Sequence, residues 1–97
     1  TRGIIAFYYP GSTRGQLAAQ IFVNDLKDVY PEPSLVRTQS TTTLGEVRDP
    51  RFPSVLLEIG YHDNYADARW VENHLDAIAR SLVISLTDFF DIPFVWP

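Results

Sequence analysis

The chain has 97 residues, a length that suits one small domain, and 45% of its residues are hydrophobic, which is typical of a protein with a buried core. Its formal net charge of -4 argues against nucleic acid and anionic membrane surfaces as partners, and no apolar run approaches the roughly 20 residues of a membrane span. Cysteine is absent, which excludes disulfide bonds and thiolate chemistry.

The first third of the sequence predicts a strand followed by an amphipathic helix. Residues 3–9 are rich in β-branched and aromatic side chains and end at a Pro-Gly turn, so we expect a β-strand. Ser12 is placed to cap a helix, and Pro31 and Pro33 prevent its continuation. The apolar stripe of this helix contains Ala18, Ile21, Phe22, Leu26 and Val29. We expect the helix to lie on a sheet.

The middle of the sequence predicts two more strands. Residues 34–37 are consistent with a short strand, residues 38–43 with an exposed polar loop, and residues 44–48 are ambiguous. Residues 54–59, with the sequence SVLLEI, predict a strand that is apolar on both faces, as in the middle of a parallel or mixed sheet. Gly60 is expected to end this strand.

Two helices are expected in the last third. Residues 66–73 can form a short helix, and a longer one follows with apolar side chains spaced by three and four, up to Pro93. Its apolar positions are Leu75, Ile78, Ala79, Leu82, Leu86, Phe89 and Phe90. The order of elements predicts an α/β fold, with a layered mixed or parallel sheet and flanking helices.

The acid of the third predicted strand, Glu58, is the main candidate for chemistry. Ligands of open α/β sheets bind outside the carboxyl ends of strands, where Glu58 and the following polar turn are expected. A buried carboxylate there could be a general base, a metal ligand or the anion of an ion pair. The arginines considered for such a pair are Arg37, Arg48 and Arg51.

The polar residues after Glu58 also have structural explanations. Asn64 is expected to cap the next helix, Asp63 to pair locally, and His62 to be a polar loop residue, since adjacent His and Asp residues are a weak metal-ligand pattern. His74 is expected at a solvated boundary between two helices. The aromatic residues Tyr8, Tyr9 and Trp70 are expected in the core or at its rim.

The segment PSVLLEIGYHDN, residues 53–64, resembles the C-terminal part of zinc-dependent N-acetylmuramoyl-L-alanine amidases of the type-3 family. Those enzymes have a Pro-x-x-Leu-x-Glu-x-Gly-aromatic-x-x-Asn segment, which is matched here by Pro53, Leu56, Glu58, Gly60, Tyr61 and Asn64. The first predicted strand and helix also look like the strand and helix that follow the family's second zinc histidine. The resemblance implies a phosphorylase/hydrolase-like fold, of which residues 1–97 form a single unit, the C-terminal portion of the catalytic domain.

The resemblance implies hydrolysis of the amide between N-acetylmuramic acid and the L-alanine of the stem peptide, with peptidoglycan as the partner and the bacterial cell envelope or the extracellular space as the location. Glu58 matches the glutamate that moves protons, while a zinc ion polarises the carbonyl and activates water. The family's zinc ligands belong upstream and nothing here matches them. Zinc is therefore expected in the complete domain and not on this chain alone.

The position of His62 is usually apolar in the family, so His62 is expected to be an added ligand or a substrate contact, and Asn64 is also expected to bind substrate. Two other hypotheses stay open. One is a noncatalytic module that keeps the fold and binds peptidoglycan or a protein partner. The other is a related metallopeptidase in which His62 and Asp63 join Glu58 around a metal. A chain that begins at Thr1 is expected to be a fragment or a processed form, for which self-association through an uncovered sheet stays open.

Overall fold

The computed structural model describes residues 2–43, 53–60 and 63–96, which form a small mixed α/β domain. In these residues one sheet contains β1 (Ile4–Tyr8), β2 (Val36–Ser40) and β3 (Val55–Ile59). Three helices are present in the same part of the chain, namely α1 (Thr13–Leu26), α2 (Tyr65–Asn73) and α3 (Leu75–Phe89). A short 3-10 helix, Pro33–Leu35, precedes β2.

The sheet is mixed, and its strand order is β2-β1-β3. β1 pairs with β2 in parallel and with β3 in antiparallel orientation, so Ile5 has Arg37 on one side and Glu58 on the other. The expectation that β3 lies in the middle of the sheet is wrong for the described residues, because β1 takes that place. The burial agrees with this order, since Ile4, Ile5 and Ala6 of β1 are all buried, whereas β3 alternates between half-buried and exposed residues.

The core lies between one face of the sheet and the helices. Ile4 and Ala6 of β1 point to this face and pack in one cluster with side chains of α1, among which Val23 and Leu26 are almost fully buried. Trp70 of α2 and Ile78 of α3 belong to the same cluster. Burial of each large aliphatic side chain stabilises the fold by roughly 1.5–3 kcal/mol, so this cluster is the main source of stability.

Local signals agree with the start of α1 and the end of α3, whereas α1 stops at Leu26, earlier than predicted, so that Val29 of the predicted stripe lies beyond the helix. Ser12 caps α1, and its hydroxyl accepts a hydrogen bond of 3.0 Å from the backbone N–H of Gly15. At the other end of the chain, α3 ends before Pro93, because Asp91 adopts a left-handed φ of 55° and the N–H of Ile92 bonds the carbonyl of Thr87. The cap at Ser12 and the helix on the sheet are therefore confirmed.

The second strand is displaced from its predicted position. Residues 33–35 form the 3-10 helix, and β2 runs from Val36 to Ser40 through residues that were expected to form a loop. Parallel pairing with β1 supplies backbone partners to this polar segment, while Arg37, Gln39 and Ser40 keep their side chains exposed. The ambiguous residues 44–48 lie outside the described residues.

The buried face of α3 also differs from the predicted stripe. Ser81 and Ser85 are 4% and 1% exposed, whereas Leu86 and Phe90 are 44% and 58% exposed. The reason is the packing of α3 against α1, where the hydroxyl of Ser85 donates a hydrogen bond of 2.7 Å to Asp25. The small side chains Ser81 and Ser85 therefore take buried positions of α3 that the apolar spacing had assigned to larger residues.

Candidate functional site

Glu58 lies on the face of the sheet that the core cluster does not use, and its side chain is exposed. The expectation of a buried carboxylate is therefore wrong. Arg37 lies on the same face, separated from Glu58 by the width of β1, and its guanidinium donates to Gln39 at 2.5 Å. No ion pair joins Glu58 to an arginine in the described part of the chain. Arg48 and Arg51, the other expected partners, lie outside it.

Glu58 lies at the opposite end of the sheet from the one that the sequence predicts for a ligand site. Because β3 runs antiparallel, its carboxyl end lies next to the amino ends of β1 and β2, and Ile59 pairs with Ile4. The rule that ligands bind at the carboxyl ends of parallel strands therefore does not locate a site here. A function for Glu58 must be argued from its own surroundings.

The turn after Glu58 is described in part. Asn64 caps α2, and its Oδ1 accepts a hydrogen bond of 3.1 Å from the N–H of Asp67, which confirms the structural expectation for this residue. Asp63 is exposed. His62, the expected substrate contact, lies outside the described residues.

His74 is found at the boundary between α2 and α3, as expected. Its ring is stacked on Trp70 with 5.3 Å between the centroids, and Nδ1 lies 2.7 Å from the carbonyl oxygen of Trp70. The residue itself is exposed, whereas Trp70 is buried in the core. These contacts give His74 a structural explanation.

Among the described residues, the acid that is fully buried is Asp67, in the first turn of α2. Its Oδ2 accepts a hydrogen bond of 2.7 Å from the N–H of Gly3, and its Oδ1 accepts one from the hydroxyl of Tyr30. Nε of Arg2 lies 3.5 Å from Oδ1, and the same guanidinium contacts Glu32 at 2.6 Å. A buried carboxylate is tolerated only with such partners, and here they come from two distant parts of the chain, residues 2–3 and Tyr30.

Tyr30 is the uncharged side chain that contacts the Asp67 carboxylate. Burial raises the pKa of its hydroxyl above the ordinary value of 10.0, and the hydrogen bond to Asp67 raises it further. Its ring packs edge-on against Trp70, with 4.9 Å between the centroids. Tyr30 therefore links the acid of α2 to the apolar core.

Asp67 is not among the residues predicted from the sequence, although a local signal for it is present. Asp67 follows the cap residue Asn64 by three positions, where acids are favourable in the first turn of a helix. Nothing local indicates burial, because Gly3 and Tyr30 are 64 and 37 residues away along the chain. The group formed by Arg2, Gly3, Tyr30 and Asp67 is called the Asp67 cluster below.

A metal centre is not found in the described part of the chain, where no group of three or more His, Cys, Asp or Glu residues is placed to hold an ion. His62 lies outside that part, so the metallopeptidase hypothesis is not tested. None of the described helices combines the length and the apolar character that a membrane span requires.

Comparison of the chain with protein-family models, with curated proteins and with solved structures finds no match. The class that the fold defines is thus a small mixed α/β domain with a three-stranded sheet and three helices in its described residues. Its two notable acids are the exposed Glu58 on β3 and the buried Asp67 on α2.

Proposed function

We propose that this chain is the C-terminal portion of the catalytic domain of a zinc-dependent N-acetylmuramoyl-L-alanine amidase with a phosphorylase/hydrolase-like fold, and that Glu58 is its general acid/base. The observation that carries the proposal is the motif of residues 53–64, in which Glu58 precedes Gly60 and the helix cap Asn64. The mixed sheet with a helix packed on it is compatible with such a domain.

The surroundings of Glu58 support a role in proton transfer. A group that moves protons must come within hydrogen-bond distance of the substrate, and the exposed carboxylate of Glu58 is accessible to one. No ion pair to Arg37 competes for it. Glu58 lies on β3, and the pairing of this strand with β1 fixes the face of the sheet on which the carboxylate lies.

In the proposed reaction, Glu58 accepts a proton from the attacking water as the water oxygen bonds to the lactyl carbonyl carbon. The bond between this carbon and the nitrogen of L-alanine then breaks, and Glu58 gives the proton to the leaving amine. The products are the free carboxylic acid of the muramic acid and the free amine of the stem peptide. We assign substrate contacts to His62 and to the side-chain amide of Asn64.

The zinc ion that the resemblance implies has no fitting set of ligands in the described residues. We therefore propose that the zinc ligands lie elsewhere in the complete domain, while this chain supplies the proton transfer by Glu58 and the contacts to peptidoglycan. The proposed activity on peptidoglycan also implies that the protein is in the bacterial cell envelope or outside the cell.

The first prediction tests Glu58 in the complete polypeptide in which the chain occurs, purified with zinc. Glu58→Gln keeps the size and polarity of the side chain but loses its basicity, so we expect turnover to fall by roughly 100-fold or more. Mass spectrometry of peptidoglycan digests measures the release of stem peptides with a free L-alanine amine. Melting temperature and zinc content should change little, because Glu58 is exposed.

The matched control is Glu72→Gln, the same change at an exposed residue of α2, which should leave turnover unchanged. A folded Glu58→Gln protein with the turnover of the unmodified protein would contradict the assignment. A large loss of thermal stability in this variant would instead indicate that Glu58 is part of an ion pair with a residue outside the described ones.

The second candidate is a noncatalytic module that binds peptidoglycan or a protein partner. It is favoured by the apolar side chains that accompany Glu58 on its face of the sheet, where Leu56 is 42% exposed and Phe7 is half-buried. Such a module would sediment with insoluble peptidoglycan without releasing L-alanine amines. Binding that persists in Glu58→Gln and is lost in Leu56→Glu would favour this candidate.

A further inference from the structure

We propose that Asp67 is a positioning residue for Glu58, through a backbone connection that runs by way of Gly3. The inference rests on the proposed function for its consequence in catalysis. The connection itself is structural and has its own test.

The first link holds the end of the strand that carries Glu58. The N–H of Gly60, two residues after Glu58, donates a hydrogen bond of 2.9 Å to the carbonyl of Gly3. Gly60 has a φ of 71°, and a Cβ at this position would lie 3.0 Å from Cγ2 of Val71 and 3.4 Å from Cβ of Asp67. The end of β3 therefore lies directly against α2.

The second link holds the start of α2 to the same residue. The N–H of Gly3 donates to Oδ2 of Asp67 at 2.7 Å, and the N–H of Asp67 donates to the cap residue Asn64. Gly3 thus accepts a hydrogen bond from Gly60 and donates one to Asp67. The strand end after Glu58 and the first turn of α2 are therefore both hydrogen-bonded to one residue, Gly3.

The Asp67 carboxylate is held in place by contacts with more than one donor. Tyr30 and Arg2 both face Oδ1, while the N–H of Gly3 donates to Oδ2. Gly3 also packs closely against the end of the 3-10 helix, where a Cβ added to it would lie 2.4 Å from the carbonyl oxygen of Leu35. The carboxylate of Asp67 therefore sets the position of Gly3, and Gly3 sets that of Gly60.

The consequence for catalysis follows from the short distance along the chain to Glu58. A displacement of a catalytic group by about 1 Å can lower a rate by roughly 100-fold. Loss of the Asp67 carboxylate frees Gly3 and Gly60, so the end of β3 can shift. Asp67 itself lies in the core and transfers no proton in the proposed reaction.

The test compares Asp67→Ala with Asp67→Asn in the complete polypeptide. The alanine variant loses the acceptor for Gly3, and we expect kcat to fall on the order of 100-fold with little change in KM. The asparagine variant keeps an oxygen for Gly3 and should retain most of kcat. If Asp67→Ala does not fold, Tyr30→Phe takes its place, because it removes a donor to the same carboxylate and should lower kcat to a smaller extent.

The matched control is Asp25→Ala, which removes another hydrogen-bonded aspartate, the acceptor of Ser85, at the contact between α1 and α3. It should lower the melting temperature and leave kcat unchanged. An unchanged kcat in a folded Asp67→Ala protein would overturn the proposal, and so would an equal loss of kcat in Asp25→Ala.

The positioning and the proposed function fail in distinguishable ways. If the unmodified protein releases no L-alanine amines, the function fails, and the positioning is then judged by amide hydrogen exchange at Gly60. This exchange should be at least tenfold faster in Asp67→Ala or Tyr30→Phe and unchanged in Asp25→Ala. An unchanged exchange rate at Gly60 in the first two variants would overturn the positioning.

Discussion

At the scale of single residues, Glu58 and Asp67 differ in their exposure to solvent. Glu58 is exposed to solvent, whereas Asp67 is fully buried and receives hydrogen bonds from Gly3 and Tyr30. Removal of one member of a buried charged group typically costs 3–5 kcal/mol, because the partners lose their hydrogen bonds in a dry environment. Substitutions at Asp67 are therefore expected to affect folding as well as position, which is why its conservative variant is informative.

The backbone at Gly3 has a conformation and surroundings that disfavour any side chain. Its φ is 122°, and an added Cβ would lie 2.4 Å from the backbone oxygen of Leu35, so Gly3→Ala introduces both strain and overlap. We expect a loss of about 3 kcal/mol or more in the free energy of unfolding, since each effect typically costs about 1–3 kcal/mol. Urea denaturation followed by circular dichroism measures this loss.

Gly11→Ala is the matched control, because Gly11 also has a positive φ, of 89°, but a Cβ there would meet no atom within 4 Å. Its expected cost is only about 1–2 kcal/mol, from backbone strain alone. Equal losses in the two alanine variants would show that the contact with Leu35 relaxes at no cost.

At the scale of elements, the Asp67 cluster connects three separate parts of the fold. Arg2 and Gly3 precede β1, Tyr30 follows α1, and Asp67 lies in the first turn of α2. Few apolar contacts are available to α2, whose buried residues are Asp67 and Trp70. The polar cluster therefore fixes the place of this short helix, and the edge-on contact between Tyr30 and Trp70 joins it to the core.

A prediction about pH belongs to this connection. The pKa of Tyr30 is raised in the folded protein, first by burial and then by its hydrogen bond to Asp67, so the unfolded chain loses this proton at a lower pH than the folded one. The contribution of protonated Tyr30 to the free energy of unfolding is complete below pH 10.0, the ordinary pKa of tyrosine. It is lost as the pH rises through the pKa that Tyr30 has in the folded protein. Urea denaturation midpoints measured between about pH 8 and 11 should therefore be constant at the lower end of this range and fall above about pH 10.

Tyr30→Phe separates this effect from the titration of other groups. The variant should be less stable than the unmodified protein at pH 8 by about 1–3 kcal/mol, because Asp67 loses a donor. Its stability should then fall less steeply above pH 10. Parallel pH profiles for the two proteins would rule out Tyr30 as the titrating group.

At the scale of the whole molecule, the described helices contribute to a core on one face of the sheet, while the other face carries exposed side chains. Leu56 on that face is 42% exposed and lies in register with Phe7. Exposed apolar surface on a sheet favours association with another chain. The last prediction is therefore concentration-dependent self-association of the chain, measured by analytical ultracentrifugation.

Leu56→Lys should lower this association, because a charge on the sheet face opposes contact with a second copy. Leu75→Lys is the matched control, since Leu75 is more exposed, at 61%, but lies at the start of α3 away from that face. A strictly monomeric chain at all concentrations, or an equal effect of the two lysine variants, would contradict the prediction.

The sequence by itself determined the elements that depend on local chemistry. The β-branched run of β1, the caps Ser12 and Asn64, and the apolar spacing of α3 are properties of neighbouring residues, and they predicted the order of strands and helices. The composition also predicted a core. These features need no knowledge of which distant residues meet.

Only the tertiary structure decided which strand is central and which acid is buried. The pairing of β1 with both neighbours, the antiparallel direction of β3, and the contact of Asp67 with Gly3 all join residues that are far apart in the chain. Apolar runs such as SVLLEI look alike at the centre and at the edge of a sheet, because burial depends on the neighbours that pairing supplies. The exposure of Glu58 and the burial of Asp67 follow from that pairing and packing.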